Sequence, residues 1–174
     1  MATIQVHQHG WREYTPTMAP SALVVRGEAD MVNADFYLDF DGPASRFPLL
    51  AAFFERLASK KSPLSESTDV CADTEAIIRE PAWIDLLDTE AIQNVTSDGW
   101  DLESMLDSIL NGEYSLVSLS FDSGSGRLVY DPLTYPFGGT DSLKALVTTF
   151  GFEVAHDSFH DGYVEWANRE IKSR

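Results

Sequence analysis

Between positions 65 and 113 the chain carries thirteen carboxylates and a single cation, Arg79. A net charge of −12 over 49 residues would keep most segments solvated and unfolded, since like charges repel and little apolar surface remains to offset chain entropy. This segment is different, because Ile77, Ile78, Trp83, Ile84, Leu86, Leu87, Ile92, Val95 and Trp100 are interleaved with the acids. It has to fold with its apolar side chains inward and its carboxylates in water, which is the pattern of amphipathic helices. From Leu102 the apolar positions Leu102, Met105, Leu106, Ile109 and Leu110 recur at i, i+3, i+4, i+7 and i+8, with Asp101, Glu103 and Asp107 opposite. The spacing predicts a helix capped by Asp98 or Asp101 and stopped at Gly112. Two shorter helical turns are predicted before it, at 74–79 and, with Pro81 in the first helical position, at 82–87.

The flanking thirds are nearly balanced in charge, with net −1 over 1–64 and −3 over 114–174. Ile4 and Val6 alternate with polar residues, 22–26 is a short apolar run, and Phe36, Leu38 and Phe40 alternate with Tyr37, Asp39 and Asp41, so three strands are predicted. Gly42 and Pro43 then open a helix to about Lys60 whose buried stripe is Phe47, Leu50, Phe54 and Leu57. Segments 114–121 and 127–130 flank a Ser-Gly-rich turn at 122–126, a hairpin signal. Thr140 caps a helix carrying Leu143, Leu146, Val147 and Phe150 on one face, and Gly151 ends it with Phe152 placed for the accompanying apolar contact. A last strand is predicted around Val154 and a terminal helix over 163–172. The elements do not alternate as a parallel sheet would require. The expected fold is α+β, a single domain over 1–174. Its mostly antiparallel sheet of about five to six strands packs with helices, and the acidic helical region 65–113 is inserted between the N-terminal strands and a C-terminal hairpin-helix-strand unit.

Composition narrows the function classes. The total charge of −16 argues against direct binding of a nucleic-acid backbone or an anionic membrane, whose phosphates would be repelled. No apolar run approaches the ~18 residues of a membrane span, and no leader pattern opens the chain, so a cytoplasmic location is expected. The lone Cys71 excludes an internal disulfide framework, and its acidic neighbours Asp69 and Asp73 disfavour a thiolate.

Several constellations carry possible chemistry. Asp39, Phe40, Asp41 and Gly42 close an apolar strand, and this Asp-x-Asp-Gly resembles the first motif of haloacid dehalogenase-like phosphatases. The resemblance implies a Mg-dependent phosphohydrolase with Asp39 as nucleophile, Asp41 handling the leaving-group proton, Lys144 binding phosphate, and Asp157 with Asp161 holding Mg²⁺. Asp35, Tyr37 and Asp39 also read as the solvent face of a half-buried strand, with Asp41 or Gly42 capping the next helix. His156 and His160, interleaved with Asp157 and Asp161, have a spacing that on a helix would serve a divalent ion, and His7 and His9 share a strand face. If 152–155 is extended, His156 and His160 lie too far apart to share one, so turn histidines are the alternative. Phe137, Gly138, Gly139 and Thr140 lead into a helix N-terminus, where Asp141 already answers the dipole. The aromatic loop 130–139 reads either as a binding rim or as rings folded back on the sheet.

No cofactor and no metal are expected, and catalysis is the less favoured class. The reading that best uses the charge is an acidic interaction module, of inhibitor or immunity type, that docks on a basic protein partner. The residues expected to meet that partner are Asp85, Asp88, Glu90, Asp98, Asp101, Glu103 and Asp107, with Tyr135 and Phe137 from the aromatic loop. Solubility alone is the competing explanation of the charge.

Overall fold

Leu38 and Phe40 point to one side of a strand and Asp39 and Asp41 to the other, and this alternation organises the molecule. The computed structural model describes residues 2–5, 23–26, 36–64, 70–97, 99–133, 139–159 and 161. Its fold is α+β. Strand β3 (Phe36–Asp41) pairs antiparallel with β5 (Ser125–Pro132) on one side and β6 (Glu153–Asp157) on the other, and β5 pairs antiparallel with β4 (Tyr114–Asp122). These four strands form an antiparallel sheet in the order β4-β5-β3-β6. Leu23–Arg26 (β2) lies antiparallel against β4, and Ala2–Gln5 (β1) parallel beside β2. Expected residues Val6, Ala22 and the 163–172 helix lie outside the described residues.

Helices α1 (Phe47–Leu64) and α5 (Asp141–Thr149) pack against the sheet, and α2 (Val70–Ile78), a 3-10 helix (Pro81–Leu86), α3 (Thr89–Ser97) and α4 (Leu102–Asn111) pack against these two helices and one another. Leu38, Phe40, Leu119, Leu128 and Tyr130 meet Phe47, Leu50, Phe53, Phe54 and Leu57 of α1 in a continuous core. Its aromatic centre stacks Phe47 on Phe121 at 4.9 Å and sets Phe152 edge-on to Phe40 at 5.1 Å. Burial of this many large side chains is the main stabilising contribution. Among the described residues no helix is long and apolar enough to cross a membrane.

Where the expected elements shift, a competing interaction explains it. Helix α1 begins at Phe47 rather than Pro43; Pro43 instead sits in the preceding turn, accepting from the Arg46 N–H at 3.0 Å, and Pro48 occupies the first helical turn, where a missing N–H is harmless. The 82–87 turn is the 3-10 helix, with Pro81 at its start as expected. The hairpin is tighter than expected. Ser123 (φ 54°) and Gly124 (φ 94°) alone form the turn, as type I′ geometry requires. Thr140 stands at the start of α5 but makes no capping bond, because its hydroxyl is drawn to Asp157.

The end of α5 follows its expected form. Gly151 takes φ 79°, its N–H reaches Thr148 O at 2.9 Å, and the N–H of buried Phe152 reaches Val147 O at 3.4 Å. These two bonds make a Schellman cap. Substituting Gly151→Ala forces a Cβ into the left-handed region and should cost about 1 kcal/mol. Urea unfolding measures it, and an unchanged midpoint would show that the cap does not hold the helix end.

Candidate functional site

The acidic segment is built from α2, the 3-10 helix, α3 and α4, each turning a narrow apolar face to the core. Helix α4 buries Met105, Leu106, Ile109 and Leu110, and Asp101 caps it by accepting the Ser104 N–H at 2.7 Å, which holds the Asp101 carboxyl below its ordinary pKa. The 3-10 helix buries Trp83, whose indole N–H donates to Ile77 O at 2.7 Å. Helix α3 turns Ala91 and Val95 inward.

Part of the acid is answered by cations of α1 and the turn before it. Arg46 forms a bidentate pair with Asp88, lies 3.4 Å from Glu90, and donates to Phe150 O at 3.2 Å. Its bond to Asp88 holds that carboxyl low and the guanidinium pKa high. Asp88 also accepts the Ala91 N–H at 2.9 Å and so caps α3. Glu80 pairs with Lys60 at 2.6 Å and with Arg56, whose guanidinium lies over Trp83. The Lys60 bond is the largest cause of its lowered pKa. Lys61 donates to the carbonyls of Ile109, Leu110 and Gly112 at 2.7, 2.9 and 2.8 Å, above the Tyr114 ring. Burial pushes the Lys61 pKa down to about 8, while the α4 C-terminal carbonyls favour the charged ammonium.

The expected docking residues therefore divide. Asp88 is held by Arg46, Glu90 stands at the edge of the same pair, and Asp101 is a helix cap. Asp85 and Glu103 are exposed and make no ion pair with any described residue, and exposed Asp107 accepts a bond from Asn111 at 2.9 Å. Glu103 and Asp107 line a shallow depression of about 300 Å³ between α2 and α4 with Glu75, Ile78, Arg79 and Ser104. Asp98, Tyr135 and Phe137 lie outside the described residues, as do His7, His9 and His160.

The phosphatase-type set is not brought together. Asp39 takes two bonds from Arg127, at 2.6 and 2.9 Å, and the guanidinium is stacked 3.7 Å over Tyr37. Asp41 accepts from Ser125 Oγ at 2.6 Å. Both lie on the sheet face opposite Leu38 and Phe40. Lys144 lies on the helix side, bonded to Asp157 at 2.8 Å, and Asp157 is the register partner of buried Leu38. Asp157 also accepts from Thr140 at 2.6 Å, from the Phe159 N–H at 3.0 Å and from Tyr130 at 3.4 Å. Burial pushes its pKa up, but the Lys144, Thr140 and Phe159 bonds together outweigh that and leave it lowered; burial likewise raises the Tyr130 phenol. His156 sits opposite Asp39 in register and pairs with Asp161 at 2.8 Å, so His156 and Asp157 of the metal set face different sides. Among the described residues no group of three or more His, Cys, Asp and Glu is placed to hold a metal ion.

Sequence reading missed α3 and the four cations between positions 46 and 61 that answer the acidic segment. Basic residues at 46, 56, 60 and 61 did carry a signal, since three of them recur on one side of a predicted helix that precedes an acid-rich one. No family model, curated protein or solved structure matches this chain.

Proposed function

We propose that the protein is a non-catalytic interaction module that docks, through its acidic helical segment, on the basic surface of a protein partner, as an inhibitor or immunity-type protein does. One observation carries this reading. Within 70–113, eight carboxylates are exposed, and Arg79 is the one exposed cation among the described residues of that stretch. Arg46, Arg56 and Lys60 reach Glu80, Asp88 and Glu90, and Arg79 pairs with Glu75 at 3.3 Å, which leaves the α2–α4 depression, with Glu75, Glu103 and Asp107 against Arg79, and Asp85 negative. Such a surface steers a cationic partner and refuses an anionic one. In this reading the sheet has five to six strands, the acidic helices are an insertion between the N-terminal strands and the C-terminal hairpin-helix-strand unit, and the protein works in the cytoplasm.

The test is capture from the native lysate at about 0.05 and 0.5 M salt, where the Debye length falls severalfold. A basic protein should be retained at low salt and released at high salt, and the triple variant Glu75→Gln, Glu103→Gln, Asp107→Asn should retain at least tenfold less of it. Equal retention at both salts, or a captured partner with an acidic surface, would sink the proposal.

A further inference from the structure

We infer, resting on that docking reading, that the partner is gripped at the connection between the 3-10 helix and α3, and that it brings there an apolar cluster rimmed by lysine or arginine. Three large hydrophobic side chains are exposed among the described residues, and two of them flank this connection, Ile84 at 60% in the 3-10 helix and Ile92 at 45% in α3. Neither serves the core, which takes Trp83 from the 3-10 helix and Ala91 and Val95 from α3. Isoleucine is a poorer helix former than lysine or alanine. A cation at either place would also relieve the local charge. Contact with a second molecule accounts for both side chains where folding and charge balance do not.

The surroundings select the partner's chemistry. Asp85 and Glu90 are exposed beside the isoleucines and Asp88 is half-exposed between them. Among the described residues the cation paired with these acids is Arg46, whose side chain is only 12% exposed and is engaged with Asp88 and Glu90. A basic rim is the complement of this ground. The turn is also held before anything binds. The Leu87 N–H donates to Ile84 O at 3.0 Å, the Ile92 N–H to Asp88 O at 3.0 Å, and the Asp88 side chain is clamped by Arg46 and the Ala91 N–H. Both isoleucines are thus presented on a fixed backbone, which lowers the ordering cost of association.

The experiment titrates the full chain, at about 0.15 M salt, with a synthetic leucine-lysine helix bearing one apolar stripe and with an all-lysine peptide of equal charge. Backbone amide shifts locate the contact. The leucine-lysine peptide should bind the more tightly, with shift changes concentrated over 81–96. Ile84→Ser and Ile92→Ser should each weaken it about tenfold, with melting temperature unchanged and all-lysine binding unaltered. If both variants bind like the parent, or the shifts map to the α2–α4 depression, the apolar grip is overturned while the docking reading stands. If neither peptide binds, both are overturned.

Discussion

Replacing Trp83 with alanine is expected to lower the unfolding free energy by about 4 kcal/mol, the largest single-residue loss anticipated in this fold. The indole is 1% exposed and packs 5.1 Å from the Phe53 ring, between α1 and the acidic helices. Truncation removes that contact and opens a cavity. It also leaves Ile77 O without the indole N–H and strips the aromatic floor from under Arg56. Urea unfolding followed by far-UV dichroism should show the shift. Trp83→Phe keeps an aromatic ring and loses the donor together with part of the ring volume, so a smaller cost, about 1.5 kcal/mol, is expected. A loss below about 1 kcal/mol for the alanine variant would mean that the 3-10 helix does not close the core.

Asp157→Ala should cost about 3 kcal/mol, because one carboxylate with a side chain 9% exposed answers Lys144, Thr140, Tyr130 and the Phe159 N–H. Truncation strands the Lys144 ammonium, which keeps only the 3.4 Å contact to Asp141, and unties β6 from α5. Asp157→Asn keeps an acceptor for Thr140 and should cost less than half as much. The pH dependence has a definite sign. A carboxyl whose folded pKa lies below its unfolded value of about 3.9 contributes stability that is complete above that pH and is lost as pH falls through the folded value. The stability gap between the parent and Asp157→Asn should therefore hold from pH 7 to 5 and close below about pH 4. A gap that widens on acidification would contradict the Lys144 pairing.

Elements that repeat over several turns were legible in the chain. The five-residue stripe of α4 with Gly112 behind it and α5 with Gly151 behind it each encode their own burial and their own stop, whereas the Phe47 to Leu57 stripe of α1 encodes its burial but not its end, which falls at Leu64 and not at about Lys60. Helix α3 was not legible, because its inward face is only Ala91 and Val95 while the larger Ile92 points outward, so the strongest apolar signal marks the wrong side. The polar joints were also beyond reach. Arg46 and Asp88 are 42 positions apart, and Thr140 leaves its helix to meet a carboxylate 17 positions on. Local pattern says where a side chain turns, not which distant partner waits there. Of the candidate site, the sign and location of the charge were readable, whereas its division into clamped and uncovered carboxylates required the placement of α1.

That placement has a consequence for dissection. Arg46, Arg56, Lys60 and Lys61 all precede the acid-rich helices, yet they supply the counterions of three carboxylates and the terminal brace of α4. An excised 65–113 peptide would inherit the self-repulsion without its remedy. That acidic surface is therefore not portable but a property of the assembled chain.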